Sequence, residues 1–225
     1  MGFAPSPKRS PGRFQWTTML SLMVRYAYDV RAWQVSGSMP PAYYAIQANH
    51  PEGASEAEIR LMLRKLLEAR LGLKAGIKQQ ERSGYELVVA KNGPKLRAAG
   101  GSGELPPMPD YFKNMPADAL KGRIVSSAEG PGTTAVTGRG VPIAKLAAEL
   151  SEHAGAFVDD GTGLGGEYYF GFQFAGGGGA NPAVESNAPG LFEAVQSELG
   201  LRLEKKKRPV DVLVIEHIDM TPAEN

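Results

Sequence analysis

Apolar residues recur at helical spacing in four stretches of the chain, and these stretches form two similar pairs. The first helix of each pair is predicted in "MLSLMVRYAY" and in "IAKLAAELSEHA". The apolar faces consist of Met19, Leu22, Met23 and Tyr26 in one stretch and of Ile143, Leu146, Ala147 and Leu150 in the other. Because neighbouring members of each face are mostly three or four residues apart, both stretches are predicted to be amphipathic helices.

The second helix of each pair ends in the same signal, a glycine between two leucines. The apolar faces consist of Ile59, Leu63, Leu66, Leu67 and Leu71 in the first pair and of Leu191, Phe192, Val195 and Leu199 in the second. Ser55 with Glu58 predicts a capping box, and Asn187 is the predicted N-cap of the last helix. Gly72 and Gly200 are predicted to follow the helix ends with positive φ.

Runs of tyrosine and of β-branched residues between and after these helices predict strands. Each first helix is followed by two short strands, at 32–35 and 43–48 in one copy and at 156–159 and 167–174 in the other. Each second helix is followed by a predicted hairpin, 74–80 with 85–91 and 202–206 with 210–218. The turns are assigned to "RSG" and to the segment around Pro209. The last strand is apolar on both faces, so it is expected to be covered on both sides.

The doubled order of elements predicts the architecture. We expect an α+β fold made of two tandem copies of a β-α-β-β-α-β-β unit, which form mixed sheets packed with helices. The predicted organisation is a disordered segment at 1–11, a first unit at 12–93, a Gly/Pro-rich linker with one possible strand at 94–137, a second unit at 138–219 and a tail at 220–225.

Composition narrows the classes of function. The 225 residues are 42% apolar and 22% charged, and the net charge is +1, so no global field favours nucleic acid or an anionic membrane. The absence of cysteine excludes disulfides, thiolate metal sites and a cysteine nucleophile. No membrane span is expected in this chain, because the apolar run "LSLMV" is far shorter than the ~20 residues required. The N-terminus has no signal-peptide core.

Two glycine- and aspartate-rich motifs are weak candidates for ligand sites. "GTGLGG" at 161–166 has the spacing of a dinucleotide-binding loop, but the strand "EYYFGFQF" follows where a helix is required. We therefore interpret it as a turn. Asp159 and Asp160 are too few oxygen ligands for calcium, and Asp160 is expected to cap a turn.

Other titratable residues are scattered. His50, His153 and His217 lie in a loop, at a helix end and on a strand, and their spacing predicts no metal site or catalytic base. No local carboxylate partner is expected for them. The basic run "KKKR" at 205–208 is interpreted as a solvated hairpin tip. No catalytic, cofactor-binding or metal-binding residue is predicted, and no cofactor is implied.

Four segments, taken in order, resemble a known family. They are "ASEAEIRLMLRKLLEARLGLKAGIKQQERSGYELVVAKNGPKL", "GRGVPIAKLAAELS", "DDGTGLGGEYYF" and "LFEAVQSELGLRLEKKKRPVDVLVIEHID". They resemble the acidobacterial soil-associated protein family, a domain of unknown function, over residues 12–219. The resemblance implies an exported or envelope-attached protein and supplies no catalytic residue. The order of elements is more weakly similar to the short N-terminal domain of secretins and TonB-dependent receptors, a periplasmic interaction module.

The leading hypothesis is a non-enzymatic binding or protein-interaction module that acts outside the cytoplasm on an unknown protein or envelope ligand. We also expect export of the full-length product, with the present start downstream of the true one. The alternative is a secreted hydrolase with paired carboxylates, and a minor alternative is nucleic-acid binding through 205–208, although no nucleic-acid partner is expected. An exposed apolar or sheet-edge surface would favour the module.

Overall fold

The computed structural model describes residues 7–101, 106, 120–130, 132–176 and 187–223. Residues 1–6 of the predicted N-terminal segment and most of 102–119 in the predicted linker lie outside the described residues. The chain divides into two compact units, one of residues 83–208 and the other of residues 2–82 with 209–225. We call them the 83–208 unit and the terminal unit.

The terminal unit contains a three-stranded antiparallel sheet covered by two helices. Its elements are β1 (Lys8–Ser10), β2 (Arg13–Met19), α1 (Leu20–Tyr28), a 3-10 helix (Ala32–Gln34), β3 (Val35–Ser36), β4 (Tyr43–Asn49) and α2 (Glu56–Leu71). The strand order is β1-β2-β4. This order leaves β4 at one edge of the sheet.

The 83–208 unit contains a four-stranded antiparallel sheet and two helices. Its elements are β6 (Arg97–Ala98), β7 (Arg123–Ala128), β8 (Thr133–Val141), α3 (Ile143–Ala154), β9 (Val158–Asp160), β10 (Tyr168–Ala175) and α4 (Leu191–Leu199). The strand order is β6-β10-β8-β7. Three of these strands, β6, β7 and part of β8, lie in the range that the sequence analysis assigned to a linker.

The two predicted hairpins are wrong, because each is one long strand. These strands are β5 (Lys74–Val89) and β11 (Leu201–His217), and they form a sheet of order β3-β11-β5-β9. Gly84 does not adopt a left-handed φ. Instead, a Cβ at Gly84 would lie 2.5 Å from Cδ1 of Phe157. The glycine is therefore needed so that the ring of Phe157 can lie against the backbone, and it does not mark a turn. Pro209 has a φ that suits an extended chain.

The helix signals are largely confirmed. Ser55 and Glu58 form the predicted capping box, and Gly72 and Gly200 have φ of 54° and 65° at the helix ends. Two details are wrong. The last helix has Gly190 rather than Asn187 at its N-cap. The buried face of α1 is shifted by one residue, to Leu20, Met23, Val24 and Ala27, and Met19 belongs to β2 rather than to the helix.

Each unit has its own core. In the terminal unit the core includes Leu20, Met23, Leu63 and Leu67 from the helices together with Leu213 and Ile215 from β11. In the 83–208 unit it includes Leu146 and Leu150 of α3, Val195 of α4 and the phenylalanines of β10. The mixed α and β content is thus confirmed, with four α-helices in the described residues. The tandem repeat stays a prediction. None of these helices has the length and apolar character that crossing a membrane requires.

Candidate functional site

The outer edge of β4 is an open row of backbone hydrogen-bonding groups. Leu20 donates its amide to the carbonyl of Ala42, and His50 donates its amide to the carbonyl of Gly12. These two bonds set the phase of the β2–β4 ladder, in which every second backbone unit of β4 faces away from β2. The outward-facing units are those of Tyr43, Ala45, Gln47 and Asn49. Each offers one donor and one acceptor along the edge.

The open edge of β4 lacks the devices that usually block edge pairing. Proteins discourage further strands with charged side chains, prolines, bulges or short edge strands. The seven residues "YYAIQAN" contain no charge and no proline, and they pair with β2 without a break in register. Among the described residues, no strand pairs with this edge. At its Tyr44 end the chain's own residues 220–223 lie close by, since Tyr44 donates its hydroxyl to the carbonyl of Met220 and Arg70 donates to the carbonyl of Ala223.

Helix α2 runs antiparallel to β4 and forms a groove with it. Two apolar pockets lie in this groove. The His50 pocket, of 240 Å³, is lined by Phe14, Ile46, Ala48, Asn49, His50, Ile59, Met62, Leu63 and Leu66. The Arg70 pocket, of 210 Å³, is lined by Met23, Tyr44, Ala45, Ile46, Gln47, Leu66, Leu67, Arg70, Leu71 and Pro222. They share Ile46 and Leu66, so they are adjacent along the strand.

Contacts on the opposite side of α2 hold this wall of the groove in place. Arg60 forms an ion pair with Asp29 and lies over the ring of Tyr26. Arg64 donates from Nε to the carbonyl of Ala27 at 2.6 Å and lies 4.7 Å from the ring centroid of Tyr28. These contacts fix α2 against α1. The groove is therefore largely formed before any ligand enters it.

His50 contributes an unsatisfied polar atom to the groove wall. Its Nδ1 lies 2.8 Å from the carbonyl oxygen of Pro51. Because a carbonyl only accepts, we assign the ring proton to Nδ1, which leaves Nε2 as an acceptor in the neutral ring. Nε2 is buried and has no hydrogen-bond partner in the described structure. Such an atom is costly to leave unpaired.

A second groove lies in the 83–208 unit, between α4 and the turn at 90–95. It has a volume of 710 Å³ and a largely polar lining that includes Lys91, Glu193 and Arg202. Lys95 donates from Nζ to the carbonyl of Ser197 at 2.6 Å, where a cation suits the C-terminus of a helix. This lysine has a structural role, and the lining carries both signs of charge, so the groove specifies no ligand class.

The glycine and aspartate motifs have structural roles. "GTGLGG" connects β9 to the strand β10, as predicted. Asp160 accepts hydrogen bonds from the amide and hydroxyl of Thr162 at 3.0 and 2.7 Å, so it caps a turn. Asp159 pairs with Arg208 and Lys206. Among the described residues, no group of three or more His, Asp or Glu side chains could hold a metal ion.

The interpretation of "KKKR" as a hairpin tip is wrong, since the run lies inside β11. Alternate strand residues share a face, which places Lys206 and Arg208 together. Lys206 binds Glu86 at 2.6 Å, and Arg208 binds Asp159 at 2.8 Å and lies over the ring of Phe157. Two of the four cations are thus paired with carboxylates, which weakens the case for nucleic-acid binding there.

Two histidines have the carboxylate partners that the sequence analysis did not expect. His217 Nε2 lies 3.1 Å from Asp219, and His153 Nε2 lies 3.2 Å from Glu149. The sequence already contained a signal for the second pair, because Glu149 and His153 are four residues apart on one helix. Ser126 donates to the same carboxylate oxygen of Glu149 at 2.6 Å. Because the carboxylate lies between serine and histidine, the imidazole does not take the hydroxyl proton as it does in a serine hydrolase.

One pair of carboxylates does come close. Glu86 and Asp159 contact the same Lys206 ammonium, at 2.6 and 3.3 Å. A glycosidase acid needs a raised pKa. Burial opposes ionisation of Asp159, but hydrogen bonds and the charges of Arg208 and Lys206 outweigh it and lower the pKa. This pair suits an ion-pair network rather than acid catalysis.

The β4–α2 groove is not predicted by the sequence. The pattern of apolar and polar residues predicts the strand and the helix separately, and nothing in it says which edge of a strand stays unpaired. One signal was available, because "YYAIQAN" is an uncharged strand that lies between Pro41 and Pro51. The exposed Tyr43 also points to this strand, since 70% of its surface is accessible.

Comparisons with known proteins place the chain in a family without assigning a role. The model of the family described as "Protein of unknown function (DUF3738)" matches residues 21–218. The matched region covers β4, α2 and both long strands. No curated protein and no solved structure matches the chain.

Proposed function

We propose, from the premise that this chain belongs to the DUF3738 family of proteins of unknown function, that it is a non-enzymatic protein-interaction module. The observation that carries this proposal is the open, uncharged edge of β4 beside an apolar groove. An extended segment of a partner protein adds to the sheet as a further strand. Its alternate side chains enter the groove, as in other strand-addition complexes.

The physical gain has two parts. Each new backbone hydrogen bond contributes about 0.5–1.5 kcal/mol net, and the outward groups of β4 supply a row of them. Apolar side chains that enter the pockets add about 25 cal/mol for each Å² removed from water. The backbone hydrogen bonds give affinity for any extended peptide, and the apolar side chains in the pockets make the binding selective for sequence.

The edge itself can be tested by a substitution that removes one outward amide. A random nonapeptide library is displayed and selected on the wild-type chain, and the selected peptides are measured on Ala45→Pro. Proline deletes the outward N–H and its ring obstructs a neighbouring strand. We expect the selected peptides to bind at least about tenfold more weakly to this variant.

The matched control is Ala45→Gly, which weakens strand propensity but keeps the amide. Peptides should bind this variant nearly as well as the wild type. Equal binding to the proline and glycine variants would contradict strand addition at β4. Failure to select any peptide on folded wild-type protein would contradict the proposed function itself.

We also propose that the module acts outside the cytoplasm. This rests on the resemblance of "GRGVPIAKLAAELS" and "DDGTGLGGEYYF" to the acidobacterial soil-associated family, whose members are commonly exported. Fractionation of native cells with an antibody against the protein tests it. Recovery in the periplasm or medium is expected, and recovery in the cytosol alone would refute the location while leaving the edge proposal intact.

A further inference from the structure

We propose that the strand added to β4 is β4 of a second copy of this chain, paired antiparallel about a twofold axis that passes by Ile46. This inference rests on the proposed function and deepens it, because it names the partner that the same edge takes. Both copies then use the same surface, as twofold-symmetric homodimers do. Their three-stranded sheets join into one continuous sheet with the two β4 strands at its centre.

The backbone of β4 is complementary to itself in one register. Hydrogen-bonded pairs form where outward-facing units lie opposite each other, and the outward-facing units are those of Tyr43, Ala45, Gln47 and Asn49. When Ile46 lies opposite its own copy, Tyr43 lies opposite Asn49 and Ala45 opposite Gln47. Every outward unit of both strands is then paired, which supplies about eight backbone hydrogen bonds because each such pair exchanges two. A shift in either direction leaves some of these units unpaired.

Charge permits this edge, and no other edge of the same sheet, to meet a copy of itself. In a twofold pairing, a charge near the middle of a strand lies close to its own copy, and like charges across strands are destabilising. Strand β4, Tyr43–Asn49, carries no charge. At the opposite edge, β1 is the short strand Lys8–Ser10 with two basic residues, and both features discourage pairing.

Residues 219–223 leave the backbone edge of β4 free. Tyr44 donates its hydroxyl to the carbonyl of Met220, and the amides of Asp219 and Ala223 donate to carbonyls in the last turn of α2. None of these bonds uses an outward backbone group of β4. In the proposed register, Ala48 of the second copy lies opposite Tyr44. The smallest side chain on the groove face of β4 therefore meets the end of the groove that residues 219–223 approach.

The second copy also covers the middle of the groove. Ile46 lines both the His50 pocket and the Arg70 pocket, and Ile46 of the second copy lies opposite it on the same face of the sheet. The Cα atoms of such a non-hydrogen-bonded pair are about 4.5 Å apart, so the two side chains are in contact. Met62 and Leu66, which are only partly buried in one chain, form the adjoining wall. Burial of this apolar surface adds to the backbone hydrogen bonds.

Analytical ultracentrifugation of the intact chain, across about a hundredfold range of concentration, tests for the dimer. We expect a reversible equilibrium between monomer and dimer. In Ala45→Pro its midpoint should move to a concentration at least about tenfold higher, because each copy loses an outward amide. The matched control Ala45→Gly keeps the amide and should stay within about threefold of the wild type. Circular dichroism confirms that both variants are folded.

The same equilibrium governs how far the outward amides of β4 are protected. They exchange freely below the midpoint concentration, where the monomer prevails, and become protected above it. The inward amides are bonded to β2 in both states, so their exchange should not depend on concentration in this way.

Single cysteines report the register, because the chain contains none of its own. Ile46→Cys places two thiols opposite each other with Cα atoms about 4.5 Å apart, within the range of about 4.4–6.8 Å that a disulfide needs. Ala48→Cys is the matched control on the same face, since its copy lies about 13 Å further along the strand direction. Mild oxidation should crosslink Ile46→Cys and not Ala48→Cys on a non-reducing gel. This result does not depend on the proline variant.

Three results would overturn the inference. They are a wild-type chain that stays monomeric over the whole range, a dimer that folded Ala45→Pro does not weaken, and crosslinking of Ala48→Cys in preference to Ile46→Cys. Each leaves the proposed function intact provided that library-selected peptides still depend on the outward amide of Ala45. Loss of that dependence would instead defeat the proposed function.

Discussion

Glycine follows three of the helices with nearly the same φ, yet the three positions differ in what surrounds them. A Cβ at Gly155 would meet nothing within 4 Å, and one at Gly72 would meet the flexible carboxylate of Asp219. A Cβ at Gly200 would collide with the backbone of Gly93 and Lys95. The left-handed φ is thus a shared requirement, whereas the space around each glycine is specific to its site.

We predict unequal costs for alanine at these sites. Gly155→Ala should destabilise the protein by about 1 kcal/mol through backbone conformation alone. Gly72→Ala should cost a similar amount, because the Asp219 carboxylate that it meets is the end of a side chain and can rotate away. Gly200→Ala should cost about 2–4 kcal/mol, because backbone atoms must also shift. Urea unfolding midpoints measure this. A cost at Gly200 no larger than that at Gly155 would contradict the close backbone contact.

Asp159 should stabilise the fold in a pH-dependent way. Its folded pKa is lowered because Arg208 and Lys206 outweigh the effect of burial. The stabilisation is therefore present above the unfolded pKa of about 3.9 and is lost as the pH falls through the folded value. Asp159→Asn should cost no more than about 1 kcal/mol at pH 7, since solvent screens this partly exposed group.

The measurement is urea unfolding of wild type and Asp159→Asn between pH 7 and 3. The difference in stability should shrink below about pH 4. Asp211→Asn, at an exposed position on the same strand, serves as the control for loss of a negative charge. A difference that is constant across the range would refute the ion-pair role of Asp159.

At the scale of one element, β4 has two sets of backbone amides that point to opposite sides of the strand. Those of Tyr44, Ile46 and Ala48 point to β2, while those of Tyr43, Ala45, Gln47 and Asn49 point away from it. The difference follows from the phase of the antiparallel ladder. It is the basis of the proposed binding edge.

Hydrogen exchange followed by NMR should resolve these two sets in the free protein. We expect the inward amides of β4 to exchange at least about tenfold more slowly than the outward ones, because their bonds must open first. Addition of a binding peptide should then slow the outward set. Alternation in the opposite phase would show that the edge presents other residues than those proposed.

At the scale of the whole molecule, the terminal unit depends on residues from both ends of the chain. Leu213 and Ile215 of β11 are buried in the same core as Met23, Leu63 and Leu67. Full burial of one such side chain contributes about 1.5–3 kcal/mol. Folding of this unit therefore needs the end of the chain.

A fragment of residues 1–93, which includes the whole predicted first unit at 12–93, should consequently fail to fold alone. We expect weak dispersion in its NMR spectrum and a broad thermal transition. Addition of a synthetic peptide of residues 209–223 should restore dispersion, whereas the same peptide with Leu213 and Ile215 replaced by serine should not. Cooperative folding of the fragment by itself would show that the first unit is autonomous.

Most of the local structure follows from residues that are close together in the chain. The helical faces of α2 and α3, the capping box at Ser55 and the stops at Gly72 and Gly200 depend on residues within one or two turns of each other, so they can be predicted without the fold. The strand β4 was likewise predicted nearly to its observed bounds, because side-chain type and length suffice for that.

Tertiary structure alone decided how the strands are used. Gly84 and Pro209 look like turns, yet the residues beyond them pair with β9 and β3, and these distant partners keep β5 and β11 extended. In the same way, the open edge of β4 and the groove beside α2 exist because of where β2 and α2 lie. Strand pairing and helix placement depend on contacts between residues that are far apart in the chain. A local pattern of apolar and polar residues does not predict such contacts.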